Sequence, residues 1–163
     1  ISKKNKILSA GLRPKRLSKD TSTSEEATFH AIKWYEKKFG KINGILLLQP
    51  TTPFRNILNF KKAFKIFSNK NKTVIGVTKI YKKTNNFFIG RKRLKFKKSI
   101  KNNNLFYYVD GSLYLISRKN FFKEKTFVTK KFVPLFNTKL KNSLDIDFEK
   151  DLKLARLLRN ENF

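Results

Sequence analysis

The sequence predicts an α/β fold with a mostly parallel sheet, and three observations carry that reading. Ile45 to Leu48 form an unbroken apolar run between Gly44 and Pro50, as a strand buried on both faces does. Apolar residues then recur at helical spacing through Ile57, Phe60, Ala63, Phe64 and Phe67. The run "TVIGVTK" at 73–79 follows. A strand, helix, strand unit of this kind implies parallel strands joined by a right-handed crossover.

The other elements follow in order. Residues 1–20 are polar and basic, and "GLRPKRLSKDTSTSEE" reads as a loop around Pro14 and a Ser/Thr cluster. Thr23 with Glu26 three positions later fits a capping box, and Ala27, Ala31, Trp34 and Tyr35 make an apolar stripe before Gly40. A helix over about 24–39 is predicted. In the loop "QPTTPFR", Thr52 suits an N-cap and Pro53 a first helical residue. Residues 80–106 are irregular and intensely basic, "YYVDGSLYLIS" alternates as a strand does, and "DFEKDLKLARLL" reads as a terminal helix. No internal repeat is visible.

Composition bounds the function. A chain of 163 residues, 39% hydrophobic with 17 Phe, fits one domain with a real core. The net charge of +28 suits a polyanionic partner, but so does a blander origin. Only 8 of the 39 basic residues are Arg, and a Lys, Asn, Phe and Ile bias is what AT-rich coding sequence produces. The absence of Cys excludes disulfides, thiolate metal sites and a Cys nucleophile. No apolar stretch approaches the ~20 residues of a membrane span, and no signal-peptide core follows the basic start, so a cytoplasmic protein is expected. The chain begins at Ile1 and contains no Met, so it is expected to lack its translational start.

Two places suit chemistry. In an open sheet, ligands bind beyond the carboxyl ends of the strands, where "QPTTPFR" falls. Gln49 offers an amide, Thr51 and Thr52 hydroxyls, and the following helix start free N–H groups, a set suited to an anionic or polar ligand. The competing account is that Thr52 and Pro53 merely start a helix. The second place is "SLDIDFEKDLKLARLL" at 143–158, where scarce carboxylates stand at alternate positions. If the chain is extended there, Asp145 and Asp147 share a face and suit Mg²⁺ completed by phosphate oxygens. Helix capping by Asp147, with Glu149 and Asp151 in the first turn, explains three of the four and leaves Asp145 over. His30, the single histidine, reads as a packing residue. The run Arg91–Lys98, interleaved with Leu94 and Phe96, fits either RNA binding through charge and stacking or a solvated loop. P-loop, HExxH and GxSxG motifs are absent.

Three blocks, "LRPKRLSKDTSTSEEATFHAI" at 12–32, "LLLQPTTPFR" at 46–55 and "DGSLYLISR" with the acidic stretch at 110–158, together resemble the acylneuraminate cytidylyltransferase family. That family comprises CMP-sialic acid synthetases and relatives acting on legionaminic and pseudaminic acids. The resemblance implies one Rossmann-like nucleotidyltransferase domain over 1–163, lacking its first strand and nucleotide loop and so inactive or nearly so alone. It implies attack by the anomeric hydroxyl of a nonulosonic acid on the α-phosphorus of CTP, with Asp145 and Asp147 catalytic as holders of Mg²⁺. Arg13, Ser22 and Ser24 would lie along the nucleotide. Gln49 would meet the sugar, with Thr51, Thr52, Arg55 and Asp110 beside it. Asp110 stands where the family commonly has Asn, and residues 80–109 would supply a homodimer contact. The runners-up are a Kdo cytidylyltransferase and a basic RNA-binding module on an α/β scaffold; in the leading reading neither membrane nor nucleic acid is a partner.

Overall fold

Thr23 opens the first helix, α1 (Ser24–Phe39), by the reciprocal bonding its spacing predicts. Its hydroxyl accepts from Glu26 N at 3.2 Å, and the Glu26 carboxylate accepts from Thr23 N at 3.0 Å. Gly40, at φ 89°, ends the helix where a side chain would be strained. The computed structural model describes residues 4–5, 7–70, 72–80, 88–89, 92–93 and 106–159.

After α1 come β1 (Gly44–Leu47), α2 (Ile57–Lys70), β2 (Val74–Ile80), the short strands β3 (Phe88–Ile89) and β4 (Lys92–Arg93), and β5 (Phe106–Ser117). Then follow α3 (Arg118–Glu124), β6 (Val133–Asn137) and α4 (Glu149–Arg159). Among the described residues, strands β3 and β4 pair only with each other. Most of the basic excursion predicted at 80–109, and most of the Arg91–Lys98 run, lies outside the described residues. No helix among the described residues is long and apolar enough to cross a membrane.

The main sheet has the order β1-β5-β2-β6. Strand β5 runs antiparallel to both β1 and β2, and β6 runs parallel to β2. The sheet is therefore mixed, which corrects the expectation of a mostly parallel one. Strands β1 and β2 do point the same way, as the strand, helix, strand unit requires. They are not neighbours, because the 12-residue β5 occupies the space between them and pairs with both. Nothing local to residues 44–80 reveals that a strand from sixty residues further on will enter there.

Strand β1 is half-buried along its whole length, not buried on both faces as its apolar run suggested. It lies at a sheet edge among the described residues, so one flank and part of each face stay open. Alternate residues of β5 point to opposite faces and build two cores. Leu113 and Leu115 join Val74, Leu135 and α2's Ala63, whereas Ile116 joins α1's Ile32, α3's Phe121 and Phe127. Phe121 is the hub of the second core, with ring centroids 4.6 Å from Phe29 and 4.7 Å from Phe127.

Two helix starts differ from expectation. The α2 helix begins at Ile57, and Asn56 serves as its cap, its Oδ1 accepting from Leu58 N at 2.8 Å. Thr52 is no cap because its hydroxyl is engaged elsewhere. At α4, Asp147 gives only its backbone: Asp147 N and Phe148 N both donate to Asp151 Oδ2, at 3.2 and 2.9 Å. The first-turn carboxylate of Asp151 reaches back to the two N–H groups just before the helix, the side-chain half of a capping box, and no such bond comes from the Asp147 side chain.

Candidate active site

The site is assembled around a break in the β5 ladder. Val109 lies opposite Val77 and Tyr114 opposite Ile75, so Asp110–Leu113 stand against the single residue Gly76. This is an enlarged β-bulge. Gly76 makes it possible: a Cβ there would lie 2.8 Å from Asp110 Oδ1 and closer still to Ser112 Oγ. Gly111, at φ 75°, turns the bulge in the left-handed region.

The loop after β1 is clasped to this bulge. The backbone carbonyl of Gln49 accepts from Thr52 N at 3.3 Å, from Thr52 Oγ1 at 3.0 Å and from Arg55 Nη2. The same Thr52 hydroxyl reaches Gly111 O at 3.2 Å. A third tie runs to the acidic stretch, where Ile146 N donates to Thr51 O at 2.9 Å. Loop, bulge and acidic stretch thus meet at Gly111. A Cβ placed there would be 2.5 Å from Gln49 Oε1 and 3.6 Å from Asp145 Oδ2, so the amide and the carboxylate both close on its bare α-carbon.

The Asp145 carboxylate is unusual in its surroundings. Its Oδ1 is buried with no hydrogen-bond partner among the described residues. A buried carboxylate oxygen without a donor is costly, and such groups normally find a partner in a protein group, water or ion. Asp147 is exposed. Among the described residues no cluster of three or more His, Cys, Asp or Glu side chains gathers to cage a metal. The donors at hand are therefore one or two carboxylates. That set fits Mg²⁺, which keeps several waters and shares substrate phosphates, better than a metal that needs an all-protein cage.

A cleft of about 740 Å³ opens between α1 and the edge strand β1. It gathers four residues singled out in the sequence, Arg13, Ser24, Gln49 and Thr51. It also explains the stripe on α1. Ala27, Ala31, Trp34 and Tyr35 line the cleft, and Ile32 is the one buried residue of the helix. His30, read as a packing residue, is half-buried on the cleft wall with Ala27, Ala31 and Trp34.

Other predicted site residues are turned inward. Thr52 is 0% exposed and Asp110 2%, so neither presents an atom to a ligand. Both are spent on holding the loop and the bulge, whereas the resemblance set them beside the sugar. Ser22 is engaged within its own loop, donating to Arg16 O at 3.3 Å and accepting from Lys19 N at 3.2 Å. Arg55 holds the Gln49 carbonyl, and its Nε is buried without a partner among the described residues. Burial depresses its pKa, since a guanidinium loses hydration there. Tyr114, on the strand beneath, is pushed above the usual phenol range by burial first and then by the charges of Asp110, Asp145 and Glu25.

The sequence reading missed the polar cluster behind the bulge. Thr78 Oγ1 and Asn137 Nδ2 both donate to Asp110 Oδ2 at 2.7 Å, and Ser112 N donates to Asp110 Oδ1 at 3.0 Å. Asn137 Nδ2 also reaches Ser112 Oγ at 2.8 Å, and its Oδ1 accepts from Asn59 Nδ2 at 2.7 Å. One local signal was present, a glycine inside the strand "TVIGVTK", which marks close approach by another backbone.

No family model matches the chain. It is 26% identical over 159 residues to the CMP-N,N'-diacetyllegionaminic acid synthase of Legionella pneumophila, an alignment covering 93% of this chain and 68% of that protein. It is 28% identical over 157 residues to the N-acylneuraminate cytidylyltransferase of Escherichia coli, covering 88% of this chain and 35% of that protein. The chain therefore spans about two-thirds of the first relative and about one-third of the second. Along about nine-tenths of its length, the chain resembles the acylneuraminate cytidylyltransferase family.

Proposed function

We propose that this chain is a cytidylyltransferase that joins a nonulosonic acid of the sialic, legionaminic or pseudaminic type to CMP, with CTP as donor and pyrophosphate as by-product. The observation that carries the reading is the buried, unpartnered Oδ1 of Asp145, seated with Gln49 against Gly111. The names of the two relatives support it. On this reading the mixed sheet is a variant of the Rossmann-like nucleotidyltransferase sheet.

Asp145 and Asp147 would hold Mg²⁺, which when bound neutralises triphosphate charge and orients the displacement. The chain's own residues do the rest. Gln49, held by its carbonyl to Thr52 and Arg55, offers its side-chain amide to the polar sugar. Arg13, exposed at the cleft, offers a forked cation to phosphate, and the N-terminus of α1 at Ser24 adds a positive dipole end. The net charge of +28 draws both anionic substrates toward the surface. A cytoplasmic homodimer completes the proposal.

The test is CTP-dependent pyrophosphate release by the full-length protein with Mg²⁺ and a panel of nonulosonic acids, Kdo included. Turnover with a nine-carbon acid and none with Kdo is expected. Turnover with Kdo alone would move the assignment to that eight-carbon sugar, and none with any sugar would sink it.

A further inference from the structure

We propose that Asp110 is a positioning residue for the carboxylate site, an inference that rests on the cytidylyltransferase reading. Its own carboxylate never reaches the cleft, being 2% exposed. It accepts from three directions at once: from Thr78 on β2, from Asn137 on β6 and from Ser112 N within the bulge. Asn137 is in turn held by Asn59 in the first turn of α2. The bulge is thereby pinned to two strands and, through Asn137, to the helix that follows the Gln49 loop.

What this pinning positions is the next residue. Gly111 gives its carbonyl to Thr52 and its bare α-carbon to the Gln49 amide and the Asp145 carboxylate. An unpinned bulge of four residues against one is free to change its backbone angles. Gln49 and Asp145 would then lose the surface against which they are seated. Asp110 thus acts on the site through Gly111 and without touching a ligand.

The hydrogen-bond inventory sets a sharp condition. All three groups facing Asp110 act as donors, so Ala at this position strands them. Asn does not. If Asn137 and Asn59 each turn their amides over, Asn137 Oδ1 accepts from the new amide and Ser112 Oγ, while Asn137 Nδ2 donates to Asn59 Oδ1. Thr78 can rotate its hydroxyl to accept, and Ser112 N keeps an oxygen acceptor. A role by hydrogen bonding therefore survives Asp110→Asn, whereas a role by charge does not.

The experiment is titration of the protein with Mn²⁺, followed by water-proton relaxation, with thermal melting of each variant alongside. Asp110→Ala is expected to weaken Mn²⁺ binding about 10- to 100-fold, the range for residues acting on a metal through its ligands. Asp110→Asn should bind Mn²⁺ close to the parent. If Asp110→Ala does not fold, Thr78→Val removes one of the three holds and should weaken binding in the same direction. Parent-like binding by folded Asp110→Ala, or by Thr78→Val in its place, overturns the proposal, as does loss in Asp110→Asn equal to that in Asp110→Ala. If the parent binds no better than Asp145→Asn, the site itself is wrong and the inference falls with it.

Discussion

Ile146 N donates to Thr51 O across 2.9 Å, and this bond joins segments almost a hundred residues apart. It places the acidic stretch beside the Gln49 loop. Neither segment forms a site alone. The loop brings an amide and two hydroxyls, of which Thr52's is consumed internally, and the acidic stretch brings the carboxylates of Asp145 and Asp147.

Asp145→Asn is expected to abolish metal-dependent pyrophosphate release. It should leave the melting temperature almost unchanged, because the carboxylate oxygen it replaces makes no hydrogen bond in the fold. The change in stability should stay within about 1 kcal/mol. Calorimetry beside the activity assay checks both halves.

Gly111→Ala is expected to damage both properties. A side chain at φ 75° is strained by about 1–2 kcal/mol, and its Cβ would meet Gln49 Oε1 at 2.5 Å. Displacing the amide should raise the KM for the sugar more than that for CTP. Equal effects on the two KM values would show that Gln49 does not serve the sugar.

Gly76→Ala tests the bulge from the other side. A methyl there collides with Asp110 and Ser112, and overpacking of this kind costs about 1–3 kcal/mol. Chemical denaturation should report that loss. A variant as stable as the parent would mean that the bulge can shift freely, contrary to its dense bonding.

The acid limb of stability should carry a signature of Glu36. Its carboxylate accepts from Arg118 Nε at 2.6 Å and Nη2 at 2.9 Å, and this bonding lowers its pKa below the ordinary 4.5. A lowered folded value means stability that is full above the ordinary pKa and lost as pH falls through the folded one. Glu36→Gln should therefore flatten the pH dependence below about 4.5 and melt lower than the parent at neutral pH. Melting curves from pH 3 to 7 decide it.

Much of this was legible in advance where the signal is local. The capping box of Thr23 and Glu26, the stop at Gly40 and the helical stripe of α2 each depend on residues a few positions apart. So does the placing of two scarce carboxylates, Asp145 and Asp147, at alternate positions. The family blocks were equally visible, because their spacing survives in one dimension. Even local rules misassigned two residues: Thr52 and Asp147 have the chemistry of N-caps, but Asn56 and Asp151 do the capping.

The sequence by itself marked α1, α2, α4, β1, β2 and β5 and the residue types available for phosphate and metal, but not α3 or β6. Only the tertiary structure decided that β5 would part β1 from β2, that Asp110 and Thr52 would be buried, and that Gln49 and Asp145 would meet over Gly111. The physical reason is distance along the chain. A hydrogen bond between Thr52 and Gly111 closes fifty-nine residues, and Asn59 meets Asn137 across seventy-eight. Such contacts depend on which surfaces pack together, and no local pattern of residues encodes that choice.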